Sequence, residues 1–300
     1  MIFEKFLQEN NIEFKKDFLL SKLSFYKIGG PARFVVFPDK IEVLPGLFKE
    51  IKNNNLKYFV LGKGANILFD DRGFNGVIIS TKNLNRTIIK KDKYYFEAGI
   101  SIDILTEIAI ENSLSGLEFA GGLPGSLGGA IFMNARCYGG QFSDIVKNVD
   151  VLDLGNFNIL NLNNINCEFG YKNSIFQYKQ YLILGAELFL KSGDKYKIQQ
   201  ITMKNYYDRV NKGQFEYPNS GCVFKNNYDY GIPTGKLIEE LNLKGFRKND
   251  IMIYPKHGNF FINLGNGKAE DVLWLINFVK EKIKNEYGIE VEEEVIYVPY

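Results

Sequence analysis

The chain has 300 residues, 45% of them hydrophobic and 24% charged, which fits a folded protein of about two domains and excludes a disulfide-stapled miniprotein or a disordered chain. Its 37 basic and 35 acidic residues leave a net charge of +2, so no broad field exists for gripping nucleic acid or an anionic membrane, and an anionic ligand has to be held locally. Three widely spaced cysteines (Cys137, Cys167, Cys222) without a CxxC point to a reducing cytoplasm, and a single histidine, His257, rules out HExxH and multi-histidine metal sites, so no metal is expected.

In chain order, the spacing of Phe3, Phe6 and Leu7 predicts a short helix, and Ile41–Ile51 predicts another with Pro45 near its first turn. Strands are expected at Ala32–Phe37, Lys57–Gly62 and Gly76–Ser80, and a hairpin around Lys90–Lys93. A helix follows at Ile102–Ile110, then a glycine-dense segment from Gly116 to Gly140, then strands near Val149–Leu154 and Tyr181–Leu190. A helix at Tyr196–Val210 leads into a loop and strand at Tyr217–Lys225, a helix at Thr234–Leu241, a strand at Asn259–Leu264, a helix at Ala269–Tyr287 and a strand at Val291–Val298. This mixture has no long βαβ rhythm, which predicts α+β, with a boundary near Leu190. The N-terminal MIFEKFLQENN lacks the apolar stretch of a secretory signal, and the ten-residue run Tyr181–Leu190 contains Glu187 and is too short to span a bilayer.

Two glycine-rich segments stand out. LGKGANILF (Leu61–Phe69) runs from a strand into a turn, and glycines there let backbone amides approach an anion; it is neither GxGxxG nor a P-loop, so a plain tight turn is the competing reading. GGLPGSLGGA (Gly121–Ala130) carries five glycines and a proline, a composition that points to close backbone approach by a ligand or, alternatively, to a crowded crossing of buried elements. Two such amide surfaces suit a diphosphate and hence a dinucleotide cofactor.

These segments form part of an ordered set: FYKIGGPA (Phe25–Ala32), LGKGANILF, GLEFAGGLPGSLGGAIFMNA, FGYKNSIF (Phe169–Phe176), EYPNSGCVFKN (Glu216–Asn226), HGNFFIN (His257–Asn263) and GIEVEEEV (Gly288–Val295). The whole series resembles the UDP-N-acetylenolpyruvoylglucosamine reductase family, in its shorter, second type. The resemblance implies an FAD-binding unit of the vanillyl-alcohol-oxidase class in residues 1–190 and an α/β substrate-binding domain in 191–300, with the C-terminal strand returning to the active site. It implies non-covalent FAD held by Gly62, Lys63, Gly64, Ala65, Asn66, Gly122, Pro124, Gly125, Ser126, Gly129 and Ala130, with NADPH as co-substrate. Ala65 stands where the family commonly has serine.

The implied reaction passes a hydride from flavin to the β-carbon of the enolpyruvyl group of a UDP-sugar, places a proton on the α-carbon, and serves peptidoglycan precursor synthesis. Family catalytic positions map onto Lys172, Cys222 and Glu294. Cys222, at the serine-or-cysteine position of G-[SC]-x-F-K-N, would donate the proton; a thiol with a reference pKa of about 8.5 is a far better acid than an alcohol. Without the family, Cys222 reads as an apolar residue entering a strand. Glu294 sits among Glu290, Glu292 and Glu293, where mutual repulsion would favour a protonated member able to stabilise the developing enolate; strand alternation would place Glu292 and Glu294 on one face, and a solvated acidic edge is the alternative. Lys172 replaces the family's usual arginine, keeping the charge and losing the fork, with Arg136 as a conceivable compensating charge. Tyr171, Lys225 and Asn226 match sugar-nucleotide contacts, and His257 is placed either at the substrate cleft or in a structural role. Two alternatives remain at this stage: an FAD-dependent oxidase of the same superfamily and a non-catalytic nucleotide-sugar-binding protein. The reading implies a cytoplasmic monomer with no nucleic-acid or membrane partner.

Overall fold

A computed structural model describes residues 2–91, 93–226 and 230–300. Packing divides them into two compact units of interleaved segments: Met1–Lys16, Arg33–Lys63 and Gly76–Asp208 form the first, and Asp17–Ala32, Gly64–Asn75 and Arg209–Tyr300 the second. Most of the helix Lys195–Asn211 belongs to the first unit, because Asn205 Nδ2 donates to the Glu118 carbonyl at 2.8 Å and Thr202 lies so close to Gly121 that a Cβ there would come within 2.2 Å of the Thr202 carbonyl oxygen. Two short early segments pass to the second unit.

The first unit contains a five-stranded antiparallel sheet in the order Ile159–Asn163, Val146–Asp153, Tyr181–Leu188, Lys93–Glu97, Thr87–Lys90. Both faces are covered. Phe96, Val149, Val151, Ala186 and Leu188 join one buried cluster with Ile102, Leu105, Leu127 and Ile131, while Leu152, Leu182 and Leu184 join another with Phe3, Leu7, Phe34, Phe48 and Ile79. The switch of sides comes at a register shift between Asp150 and Val151, opposite Gly185. The predicted hairpin is present, with Lys90 paired to Lys93. The predicted helices form at Ile2–Glu9, at Leu44–Asn53 with proline in its first turn, and at Ile102–Glu111, where Ser101 Oγ accepts from Ile104 N at 3.3 Å as N-cap. A second sheet orders Glu13–Leu19, Pro31–Phe37, Phe74–Ser80 and Tyr58–Leu61, the last pair parallel.

The second unit is built on the helix Ala269–Tyr287, which buries Val272, Leu275, Ile276, Val279 and Ile283 along one face. Each such side chain contributes about 1.5–3 kcal/mol of gross hydrophobic stabilisation. Gly288, at φ 69°, ends the helix. Its start lacks a local side-chain cap; Asp71 supplies one from elsewhere in the chain, accepting from Ala269 N at 3.0 Å and Glu270 N at 3.3 Å. Alongside are an antiparallel sheet of Arg247–Lys248, Ile251–Ile253 and Phe261–Asn263, and a parallel pair joining Ile67–Phe69 to Ile296–Val298. At the end of that pair Arg72 grips the buried Asp70 carboxylate with Nε and Nη2 at 2.9 and 2.8 Å, and the Tyr297 hydroxyl donates to the same carboxylate. These bonds, chiefly those from Arg72, hold the Asp70 carboxyl well below the usual carboxylate range against the opposing effect of burial.

Two expected strands are shorter than the apolar pattern suggests. The loop and strand expected at Tyr217–Lys225 yields only isolated bridges at Cys222 and Phe224, and Val291–Val298 is a strand only over Ile296–Val298. Asparagine side chains replace the missing ladders. Asn219 Oδ1 accepts from Gly221 N at 2.8 Å beside a left-handed Gly221, and Asn259 bonds both main-chain groups of Phe224.

Candidate functional site

In the first unit the two glycine segments meet. Strand Tyr58–Leu61 ends at Gly62, where a Cβ would lie 2.5 Å from Ser126 Oγ. Ser126 is buried, caps Leu127–Phe132 and forms a bridge with Ser101, the N-cap of Ile102–Glu111. The Gly125 carbonyl accepts from Ile102 N at 3.1 Å. Gly125 itself has φ 144°, a backbone conformation that favours glycine, and a Cβ on it would project into open space. Lys63 Nζ stands 3.4 Å from Asp103 Oδ2 at the same helix start. Amide-rich backbone, a lysine and converging helix N-termini fit a diphosphate. Around Gly125 in the chain, Gly129 is exposed, Pro124 half-buried, and Gly122 and Ala130 buried, whereas Gly121 and Gly128 are packed against Thr202 and Ala98, so the crowded-crossing reading holds for those two.

Lys172 and Tyr171 occupy a loop of the same unit. Lys172 adopts φ 53°, a left-handed conformation that costs a non-glycine residue about 1 kcal/mol or more. The loop is tied down around it: Gln177 Nε2 donates to the carbonyls of Lys172 (3.1 Å) and Phe132 (2.9 Å), Ser174 Oγ to Phe132 O (2.7 Å), and Asn134 Nδ2 to Gly170 O (2.9 Å). Arg136 is the exposed residue of the short strand Arg136–Cys137 of this unit. Cys137 and Cys167 serve packing: their thiols donate to Phe119 O and Asn163 O, and burial pushes the Cys167 thiol up to about 12.

Gly64, Ala65, Asn66, Cys222, Lys225, Asn226, His257 and Glu294 fall in the second unit. Gly64 (φ 72°) packs on Leu23, whose carbonyl oxygen a Cβ would meet at 2.1 Å. Cys222, half-buried, bridges Phe260 and packs with Tyr254, Phe260 and Ile262. The next residue accepts from the site's carboxylate segment: Glu294 N donates to Val223 O at 2.7 Å. Asn66 Nδ2 donates to Glu294 O at 2.8 Å.

The acidic run is neutralised pairwise. Glu290 bonds Lys284 (2.7 Å), Glu292 bonds Lys225 (3.1 Å) and Glu293 bonds Lys280 (2.8 Å). The expected repulsion among these neighbours is thereby relieved, and Lys284 in fact lowers the Glu290 pKa. Because residues 290–295 are not a strand, the alternation argument for Glu292 and Glu294 does not apply; the Glu292 side chain is 77% exposed. Lys225 Nζ is thus engaged with Glu292, and Asn226 Oδ1 accepts from Thr234 N at 3.0 Å. His257 stacks on Phe260 with ring centroids 4.0 Å apart, and its Nδ1 accepts from Asn259 N at 3.3 Å. Burial, with Lys212 and Lys244 adding, lowers its pKa. Among the described residues no cluster of histidine, cysteine or carboxylate side chains could hold a metal ion, and no helix is long and apolar enough to cross a membrane.

Residues 32–162 match the FAD binding domain model, and residues 213–298 match the C-terminal domain model of UDP-N-acetylenolpyruvoylglucosamine reductase. Reductases of that name from Treponema denticola (40% identical, covering 97% of this chain and 94% of the relative) and Borreliella burgdorferi (39%, 94% and 93%) are similar over nearly their full length. The chain belongs to the UDP-N-acetylenolpyruvoylglucosamine reductase family. A crystal structure of the reductase from Thermus caldophilus has the same fold, with a TM-score of 0.80 at 31% identity, covering 96% of this chain and 99% of that one. The protein is accordingly an α+β, FAD-dependent oxidoreductase of peptidoglycan precursor synthesis.

In this reductase, sequence reasoning missed Asn259 and Asn219, which hold the backbone on either side of Cys222, and Gln177, which holds Lys172. Asn259 sits in the quoted HGNFFIN, and an asparagine opening a strand was the available signal. The use of Asn66 toward Glu294, 228 positions away, left no local signal.

Proposed function

We propose that the protein reduces the enolpyruvyl group of UDP-N-acetylenolpyruvoylglucosamine to give UDP-N-acetylmuramate, with Lys172, Cys222 and Glu294 as catalytic residues. Bound FAD, reduced by NADPH, supplies the hydride for the β-carbon of the vinyl ether. Cys222 Sγ–H gives its proton to the α-carbon, completing addition of one hydride and one proton across the double bond. The Glu294 carboxyl O–H donates a hydrogen bond to the negative charge that develops on the α-carbon and carboxylate, and the Lys172 ammonium pairs with the substrate carboxylate. Gly62, Lys63, Gly125 and Ser126 hold the FAD diphosphate, and Gly64, Ala65, Gly122, Pro124, Gly129 and Ala130 line the same cofactor path. Tyr171, Lys225, Asn226 and His257 contact the UDP-sugar, with Lys225 exchanging Glu292 for the ligand diphosphate. Cys137, Cys167 and Cys222 form no disulfide, which supports a cytoplasmic setting, and the expected species in sedimentation is a single chain.

The observation that carries this reading is the bond from Glu294 N to Val223 O, which ties the segment of the carboxylate to that of the thiol. Anaerobic stopped-flow absorbance tests it. NADPH is expected to bleach the flavin in both wild type and Cys222→Ala, while enolpyruvyl substrate restores the colour quickly in the wild type only. Equal reoxidation in the two proteins removes Cys222 as the acid, and a preparation without flavin absorbance removes the reductase reading itself.

A further inference from the structure

Asn66 was expected among the cofactor ligands, yet its side chain is committed elsewhere. The parallel ladder between Ile67–Phe69 and Ile296–Val298 ends with Ile296 N donating to Asn66 O at 3.0 Å. Glu294 lies beyond that end, outside any strand, where a chain would ordinarily fray. Both of its main-chain groups are nevertheless held: its N–H by Val223 O at 2.7 Å and its carbonyl by Asn66 Nδ2 at 2.8 Å. Asn66 thus adds one further rung to the ladder with a side chain in place of backbone.

The support is itself rigid. Gly64 packs against Leu23, Phe25 N donates to Gly64 O at 3.1 Å, and Ser24 Oγ donates to Ile67 O at 3.4 Å, so the turn that presents Asn66 is fixed on both sides. We infer that Asn66 is a positioning residue for Glu294, acting in the step that consumes the enolpyruvyl substrate and not in the binding of FAD. This inference rests on the catalytic role proposed above for Glu294. A carboxyl that stabilises charge only in the transition state is sensitive to placement, and misplacement by about 1 Å costs on the order of 100-fold in rate.

The test separates the two half-reactions in Asn66→Ala and in the equally sized Asn66→Asp, each against Glu294→Gln and the double variants. Expected are wild-type FAD content and wild-type flavin reduction by NADPH, with reoxidation by the enolpyruvyl substrate slowed about 10- to 100-fold. In the Glu294→Gln background the Asn66 substitutions should cost nothing more, because their effect passes through that carboxyl. Loss of FAD, slowed reduction by NADPH, unchanged reoxidation in both Asn66 variants, or full additivity with Glu294→Gln would each overturn the inference. Wild-type reoxidation in Glu294→Gln alone would instead strike the catalytic role of Glu294, and is read in proteins that retain Asn66.

Discussion

Asn259 and Phe224 are joined by two hydrogen bonds, Phe224 N to Asn259 Oδ1 at 2.9 Å and Asn259 Nδ2 to Phe224 O at 2.8 Å, so one side chain does the work of a neighbouring strand. Both residues are buried, and no water can replace the amide without rearrangement. Asn259→Ala is therefore expected to lower unfolding free energy by about 2–3 kcal/mol, read as a reduced urea midpoint. A midpoint within error of wild type would mean that the Cys222 segment is held by other contacts.

Lys172→Arg restores a two-pronged donor at a position whose left-handed backbone both residues adopt equally. With the substrate carboxylate as its partner, KM for the enolpyruvyl substrate should fall about 3- to 10-fold, roughly 1 kcal/mol. An unchanged KM in steady-state kinetics would detach Lys172 from that carboxylate.

Asp71 caps a helix that begins 198 positions later. Removing the acceptor in Asp71→Ala should destabilise by about 1 kcal/mol, and Asp71→Asn, which keeps one acceptor oxygen, by less. Equal urea midpoints for all three proteins would contradict the cap.

Acid should weaken the grip of Arg72 on Asp70. The folded-state pKa of Asp70 is depressed, so its stabilising contribution is complete above the unfolded value of about 3.9 and is lost as pH falls below that toward the folded value. The stability difference between wild type and Asp70→Asn is expected to shrink between about pH 5 and pH 2. A difference independent of pH across that range would show that the ion pair is not its source.

Tyr26 and Ser220 present buried hydroxyls to each other without a well-aligned hydrogen bond, and burial pushes the Tyr26 phenol far above its ordinary pKa. Taking both oxygens away in Tyr26→Phe with Ser220→Ala should leave stability unchanged or raise it by up to about 1 kcal/mol. A loss exceeding 1 kcal/mol would reveal a bonding partner for one of the hydroxyls.

What the sequence discloses depends on how local its causes are. Ala269–Tyr287 is readable end to end, because its apolar period and the glycine after it both lie within the segment. Tyr217–Lys225 carries the apolar run Cys222–Phe224 yet forms only bridges, because Asn219 and Asn259 compete for its backbone and one of them is 35 positions from its target. The ordered motifs marked the family and the two glycine segments that meet at Gly62 and Ser126. They did not disclose that three lysines pair with the acidic run or that Asn66 turns toward Glu294, since both depend on contacts between distant segments.

The pairing of Ile67–Phe69 with Ile296–Val298 also sets a timetable for synthesis. Asn66 and Glu294 are 228 positions apart, so at about 5–20 residues per second the ribosome needs roughly 10–45 s to make the partner of a fully apolar strand that has already emerged. During that interval the nascent Ile-Leu-Phe edge is open to holdase chaperones and proteases. Translation arrested before residue 296 should leave it cleavable, and arrest after residue 298 has cleared the exit tunnel should protect it.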